Sequence, residues 1–245
     1  MKIFMFDVDG TLTPSRQVMS QQFDNFMFRW GHRNNFWLVS GSDLDKMKEQ
    51  VPEHILDLAE GLFTCGGNQL YVNGELIYDN KFKVPETLLT YLGEELRMTD
   101  YPVKAGNHIE DRGSMLNFSI VGRNCTQNQR EDYYRYDNLT GERKRISKYI
   151  REQWKDIDAV IGGQISIDIV PKGFDKSQIM KHIDETYKKR NVDDCEYIFY
   201  GDRIEEGGND YPLAQLLESR SDGRVHKVED WQDTLEQLQN NKFWK

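Results

Sequence analysis

The chain has 245 residues, 38% hydrophobic and 30% charged, enough for one large or two modest globular domains. A formal net charge of −9 argues against a general nucleic-acid binder, and no apolar run approaches membrane-spanning length. Cys65, Cys125 and Cys195 are odd in number and far apart, which fits neither a zinc pattern nor a disulfide framework; with an apolar strand where a signal peptide would lie, a cytoplasmic setting is expected.

Residues 2–6 read as an apolar strand that runs into Asp7-Val8-Asp9-Gly10-Thr11. Phe23, Phe26, Met27 and Trp30 fall at helical spacing and predict a helix over 20–30. Residues 35–39 form a second strand, followed by the turn Ser40-Gly41-Ser42-Asp43, which offers an N-cap from Ser42 or Asp43 to a helix through Gln50. Residues 62–64 lead to Gly66-Gly67, and 69–72, Asn73-Gly74 and 75–78 spell a hairpin. The pattern then changes. A helix over 85–96, strands over 101–104 and 115–121, helices over 127–136 and 142–154, and strands over 159–161 and 166–170 suggest an antiparallel α+β insert. The parallel pattern resumes with helix 176–187, strand 196–200, helix 211–218, strand 224–228 and helix 231–239. The expected fold is therefore α/β: a Rossmann-like parallel-sheet core over 1–78 and 173–245, with an inserted antiparallel α+β cap over 79–172.

Asp7 and Asp9 sit at the lip of the first strand, where open parallel sheets bind ligands. Like charges this close are costly unless a cation or a proton separates them, which points to a Mg2+ site with one nucleophilic and one proton-transferring carboxylate. The strand ending in Gly201-Asp202, and the turn Gly207-Gly208-Asn209-Asp210, would supply further ligands, with helix capping equally open for Asp210. Ser40, with the N–H groups of Gly41 and Ser42, would hold a phosphoryl oxygen, and Lys176 would neutralise its charge.

These residues, in this order, are similar to the four motifs of haloacid dehalogenase-type (HAD) phosphotransferases. The chain more closely resembles the eukaryotic-type phosphomannomutase family. The likeness rests on the opening motif with Arg16-Gln17, on Met115-Leu116-Asn117, Gly122-Arg123 and Arg130, and on Gly162-Gly163-Gln164-Ile165-Ser166 with Asp168 and Asp175-Lys176. The resemblance implies that Asp7 is the nucleophile and Asp9 the general acid/base. It implies that Mg2+ is held by the Asp7 side chain, the Asp9 carbonyl and Asp202, with Asp210 in support, and that Arg16 reaches substrate from the core. Arg112, Arg123 and Arg130 would grip the non-reacting phosphate, with Ser166 and Asp168 around it and the sugar hydroxyls. Arginine forks suit such a role, although Arg130 beside Glu131 and Asp132 also reads as a surface residue. The implied activity interconverts mannose 6-phosphate and mannose 1-phosphate, with a hexose 1,6-bisphosphate as activator and a homodimer formed through the cap. Ser40 departs from the glycine of many phosphomannomutases, so a sugar-phosphate phosphatase is the alternative, and a non-catalytic sugar-phosphate binder a third.

Overall fold

The computed structural model describes residues 1–240, which divide into two compact units. The first comprises Met1–Asp79, Asp175–Glu206 and the chain from Asp210 onward; the second comprises Asn80–Phe174 with Gly207–Asn209. No helix among the described residues is long and apolar enough to cross a membrane.

The first unit is built on a seven-stranded sheet. In chain order its elements are β1 (Lys2–Asp7), α1 (Gln21–Gly31), β2 (Asn35–Val39), α2 (Leu44–Gln50), α3 (Glu53–Leu56), β3 (Gly61–Thr64), β4 (Gln69–Val72) and β5 (Glu75–Asp79). The strand order β11-β10-β1-β2-β3-β4-β5 is completed by β10 (Glu196–Gly201) and β11 (Gly223–Lys227). The strands from β11 to β3 are parallel, and β4–β5 is an antiparallel hairpin. Its turn, Asn73-Gly74, has φ of 51° and 79°, the left-handed region that this residue pair tolerates and a tight hairpin demands.

Both faces of the sheet are covered, so β1 is apolar between Lys2 and Asp7. Phe4 and Phe6 face α1, where the predicted stripe of Phe23, Phe26, Met27 and Trp30 meets them. Ile3 and Met5 face the other way, onto Ile179, Met180, Ile183 and Tyr187 of α7 (Ile179–Lys189) and Leu213 and Leu217 of α8 (Tyr211–Glu218). The segment closes with α9 (Trp231–Asn240). Lys176–Gln178, expected as the first turn of a continuous helix, is instead a separate 3₁₀ turn, because Asp175 caps it through the Ser177 N–H at 2.9 Å.

The second unit pairs a four-stranded antiparallel sheet, order β6-β7-β9-β8, with helices. Its elements are α4 (Glu86–Met98), β6 (Ile109–Asp111), β7 (Leu116–Phe118), α5 (Gln127–Thr140), α6 (Glu142–Gln153), β8 (Ile157–Gly162) and β9 (Ser166–Pro171). Strand alternation sends Leu116, Phe118, Ile157, Ala159, Ile167 and Ile169 into one core with Leu88, Leu92, Tyr133, Ile146 and Ile150 of the helices. Residues 101–104, expected as a strand, are irregular. Thr99 Oγ accepts from the Tyr101 N–H, and the Tyr101 ring packs against Tyr133 and Tyr136. The pairing edge of β7 belongs instead to β6, whose charged Glu110 and Asp111 leave it without an apolar alternation.

Candidate functional site

Register explains why distant residues meet in the first unit. Phe6 pairs with Tyr200 and Asp7 with Val39, so Asp7, Ser40 and Asp202 all emerge at the carboxyl ends of adjacent parallel strands. Lys176, 1% exposed, donates to Asp7 Oδ1 at 2.5 Å and to Asp210 Oδ1 at 2.6 Å. Burial alone would lower this ammonium's pKa, but the two carboxylates more than reverse that and raise it. Carboxylate oxygens of Asp7, Asp202 and Asp210 lie within 4.8 Å of one another.

One lysine does not balance three such groups. Burial, together with Asp210 and Asp202, pushes Asp7 well above the usual carboxylate range despite Lys176. Burial and then Asp210 push Asp202 up to about 7, against the opposing pull of Arg203 and Lys176. The donor set would suit a divalent cation: hard oxygen ligands, surplus negative charge and a desolvated setting fit Mg2+. Gly10 leaves room for the Asp202 carboxylate. Its φ is +91°, and a Cβ there would lie 2.5 Å from Asp202 Oδ2.

The remaining predicted residues sort unevenly. Asp9 lies beyond β1 and is half-buried; its Oδ1 accepts from the Arg16 N–H at 2.9 Å and its Oδ2 from Ser42 Oγ at 3.4 Å. Arg16 is thus tied to Asp9 through its backbone, at φ 59°. Ser40 is fully buried, and its Oγ accepts from the Ser42 N–H at 2.9 Å, which commits one of the two backbone donors expected to face a phosphoryl oxygen. Asp43, not Ser42, caps α2, accepting from the Lys46 N–H at 3.0 Å. Ser42 is therefore the hydroxyl that reaches a carboxylate, a role hidden because any serine in this turn reads as a cap. Asp210 makes no side-chain cap to α8; its Oδ1 takes Lys176 and its Oδ2 accepts from the Arg203 N–H at 3.1 Å. With both oxygens engaged, its observed work is to hold Lys176.

In the second unit, residues opposite one another across the sheet share a face. Glu110 pairs with Asn117, and Asn117 with Asp168, forming a polar row on the side away from the helix-packed core. Asn117 Nδ2 donates to Asp168 Oδ1 at 2.6 Å, and Arg123 Nη1 to Ser166 Oγ at 2.6 Å. Arg112 is buried against Glu110, its Nη2 2.5 Å from Oε2. Arg130 is 5% exposed on α5, which excludes the surface reading that its acidic neighbours suggest. Arg143 carried no sequence signal. Buried against Asp137 at 2.8 Å, it donates to the carbonyls of Gly163 and Ser166 at 3.0 and 3.3 Å and so fixes the β8–β9 turn that presents Ser166.

Two arrays, one carboxylate-rich and one arginine-rich, are what an enzyme handling phosphorylated molecules would carry. The comparisons agree in kind. Solved structures share the fold at low identity: the C-terminal domain of C. albicans trehalose-6-phosphate phosphatase (TM-score 0.63, 16% identity, 97% of this chain and 90% of that one) and a HAD subclass IIB sugar phosphatase (TM-score 0.57, 14% identity, 98% of each). Phosphomannomutases of Encephalitozoon cuniculi and Galdieria sulphuraria are 38% and 36% identical, over 86% and 96% of this chain and 83% and 92% of theirs. That of Drosophila melanogaster is 34% identical over 96% of this chain and 94% of its own. A family model described as eukaryotic phosphomannomutase matches residues 23–243, a span that takes in both arrays apart from the Asp7–Asp9 motif. On that match, and on relatives aligned along nearly its whole length, the chain belongs to the eukaryotic phosphomannomutase family.

Proposed function

We propose that this chain is a phosphomannomutase that interconverts mannose 6-phosphate and mannose 1-phosphate through an aspartyl-phosphate on Asp7 and a hexose bisphosphate. The observation that carries the reading is the buried Lys176 joined to Asp7, with Asp9 on the same loop held by other donors. In the first half-reaction the Asp7 carboxylate attacks phosphorus, the bond from phosphorus to the sugar oxygen breaks, and Asp9 donates the proton that the leaving oxygen takes up. In the second, a hydroxyl of a hexose monophosphate loses its proton to Asp9 and takes the phosphoryl group from Asp7, giving the bisphosphate. Turned end for end, the bisphosphate returns its other phosphate to Asp7.

Lys176 is suited to offset charge on the transferring group, and Asp210 to hold it in place. Asp7, Asp202 and the Asp9 carbonyl would hold Mg2+, which when bound would neutralise the carboxylate surplus and polarise the phosphoryl oxygens. Arg112, Arg123 and Arg130, with Ser166 and Asp168, suit the phosphate that is not reacting and the sugar hydroxyls, and Arg16 the substrate at the first unit. A hexose 1,6-bisphosphate activator and a homodimer formed through the second unit belong to the same reading. The phosphatase alternative drew on Ser40, whose buried hydroxyl oxygen accepts from the Ser42 N–H.

Incubation with Mg2+, mannose 1-phosphate and catalytic glucose 1,6-bisphosphate tests the assignment. Mannose 6-phosphate without free phosphate is the expected product. Free phosphate alone would assign the chain to the phosphatases, and turnover of neither kind would leave it a binder.

A further inference from the structure

Glu110 lies among the arginines of the second unit. A single oxygen, Oε2, accepts from Arg112 Nε at 3.1 Å and Nη2 at 2.5 Å, and lies 3.7 Å from Arg123 Nε. Both guanidinium side chains are at least nine-tenths buried, with 4% and 9% exposed. The Arg123 Nε–H is enclosed and makes no hydrogen bond, since 3.7 Å is attraction without a bond. An enclosed donor without an acceptor is costly, and an incoming anion oxygen would satisfy it. Glu110 meanwhile cancels one of the two arginine charges, so an arriving phosphate meets an anion already in residence.

We propose that Glu110 is the resident counter-anion of the Arg112–Arg123 pair and sets how loosely the second unit holds a phosphate group. The inference rests on the sugar-phosphate reading above and deepens it. A mutase must hold a distal phosphate during transfer and release it so that the bisphosphate can turn, and a carboxylate that reclaims the arginines favours release. Like charge at short range makes Glu110 a competitor of the phosphate rather than a partner.

The test is calorimetric titration of inorganic phosphate without divalent cation, with Arg123→Ala defining the share bound in the second unit. Glu110→Gln keeps an acceptor oxygen for Arg112 but drops the charge. It is expected to bind phosphate about tenfold more tightly, with Glu110→Asp close to wild type and Glu110→Leu tightened in the same direction. In the mutase assay Glu110→Gln should lower KM for mannose 1-phosphate while kcat falls, the signature of slowed release. Unchanged or weaker phosphate binding in a folded Glu110→Gln or Glu110→Leu protein overturns the proposal, since a residue that only positions the arginines would loosen binding when removed. The two readings fail separately. A wild type that makes no mannose 6-phosphate defeats the mutase assignment, whereas unchanged phosphate affinity in the variants defeats only the role of Glu110.

Discussion

The two units solve opposite electrostatic problems with the same device. In the first, one buried lysine bonds two of three clustered carboxylates; in the second, one glutamate faces two buried arginines. In the first array the carboxylates outnumber the lysine. On the reading proposed above, a divalent cation would offset the charge of the first array and a phosphate would pair with the arginines of the second. What differs is how the resident counter-charge is bonded: Lys176 makes a short contact to each of two carboxylates, whereas Glu110 bonds Arg112 but stands 3.7 Å from Arg123 Nε.

The comparison is broken most severely at its chemical centre. Asp7→Asn keeps the shape of the first array but removes the nucleophile, and activity is expected to fall at least about 10³-fold in the mannose 6-phosphate assay. Retained activity would mean that the carboxylate cluster is not the phosphoryl acceptor. Next is Lys176→Met. It strands Asp7 and Asp210 in a buried site, and in the absence of metal it should cost roughly 3–5 kcal/mol, read from urea unfolding. Added Mg2+ should restore part of that loss, whereas the wild type gains less, because its lysine already offsets some of the charge.

Arg123→Ala tests the other array. Loss of a charge-assisted bond to phosphate should raise KM for mannose 1-phosphate by about 10- to 100-fold, with stability nearly unchanged. A fall in kcat at constant KM would place Arg123 in the chemistry rather than in holding the distal phosphate. The smallest effect is on pH. With the Asp202 pKa raised to about 7 in the fold, the folded state binds an extra proton between the unfolded value, near 3.8, and 7. Asp202 therefore weakens the metal-free fold progressively as pH rises through that window, by an effect that levels off above it. Bound metal needs the ionised form, so the Mg2+-induced rise in melting temperature should be small at pH 6 and larger at pH 8. In Asp202→Asn that pH dependence should shrink.

Much of the first unit was legible because local and tertiary preferences coincide there. The apolar run of β1, the stripe of α1 and Asn73-Gly74 each specify one local structure, and burial on both faces of the sheet enforces it. The order of the acidic motifs showed which strand ends to compare. The roles of Glu110 and Arg143 were not legible in this way. Polar residues carry no periodic signal, and the contacts that give the second unit its polar face join distant segments: Asp168 to Asn117, Ser166 to Arg123 and the Gly163 carbonyl to Arg143.

By itself, then, the sequence determined the βα alternation, the inserted antiparallel segment, the family, and the acidic and basic residues that carry the charge. Hydrophobic period and turn chemistry act over a few residues, and the motifs are local strings. Only the tertiary structure decided which charges meet. It joined Lys176 to both Asp7 and Asp210, turned the Ser42 N–H onto the Ser40 hydroxyl oxygen, brought Ser42 to Asp9 and set Glu110 between two arginines. Electrostatic pairing depends on distance and burial, which the packed fold sets across a sequence separation of 169 for Lys176 and Asp7.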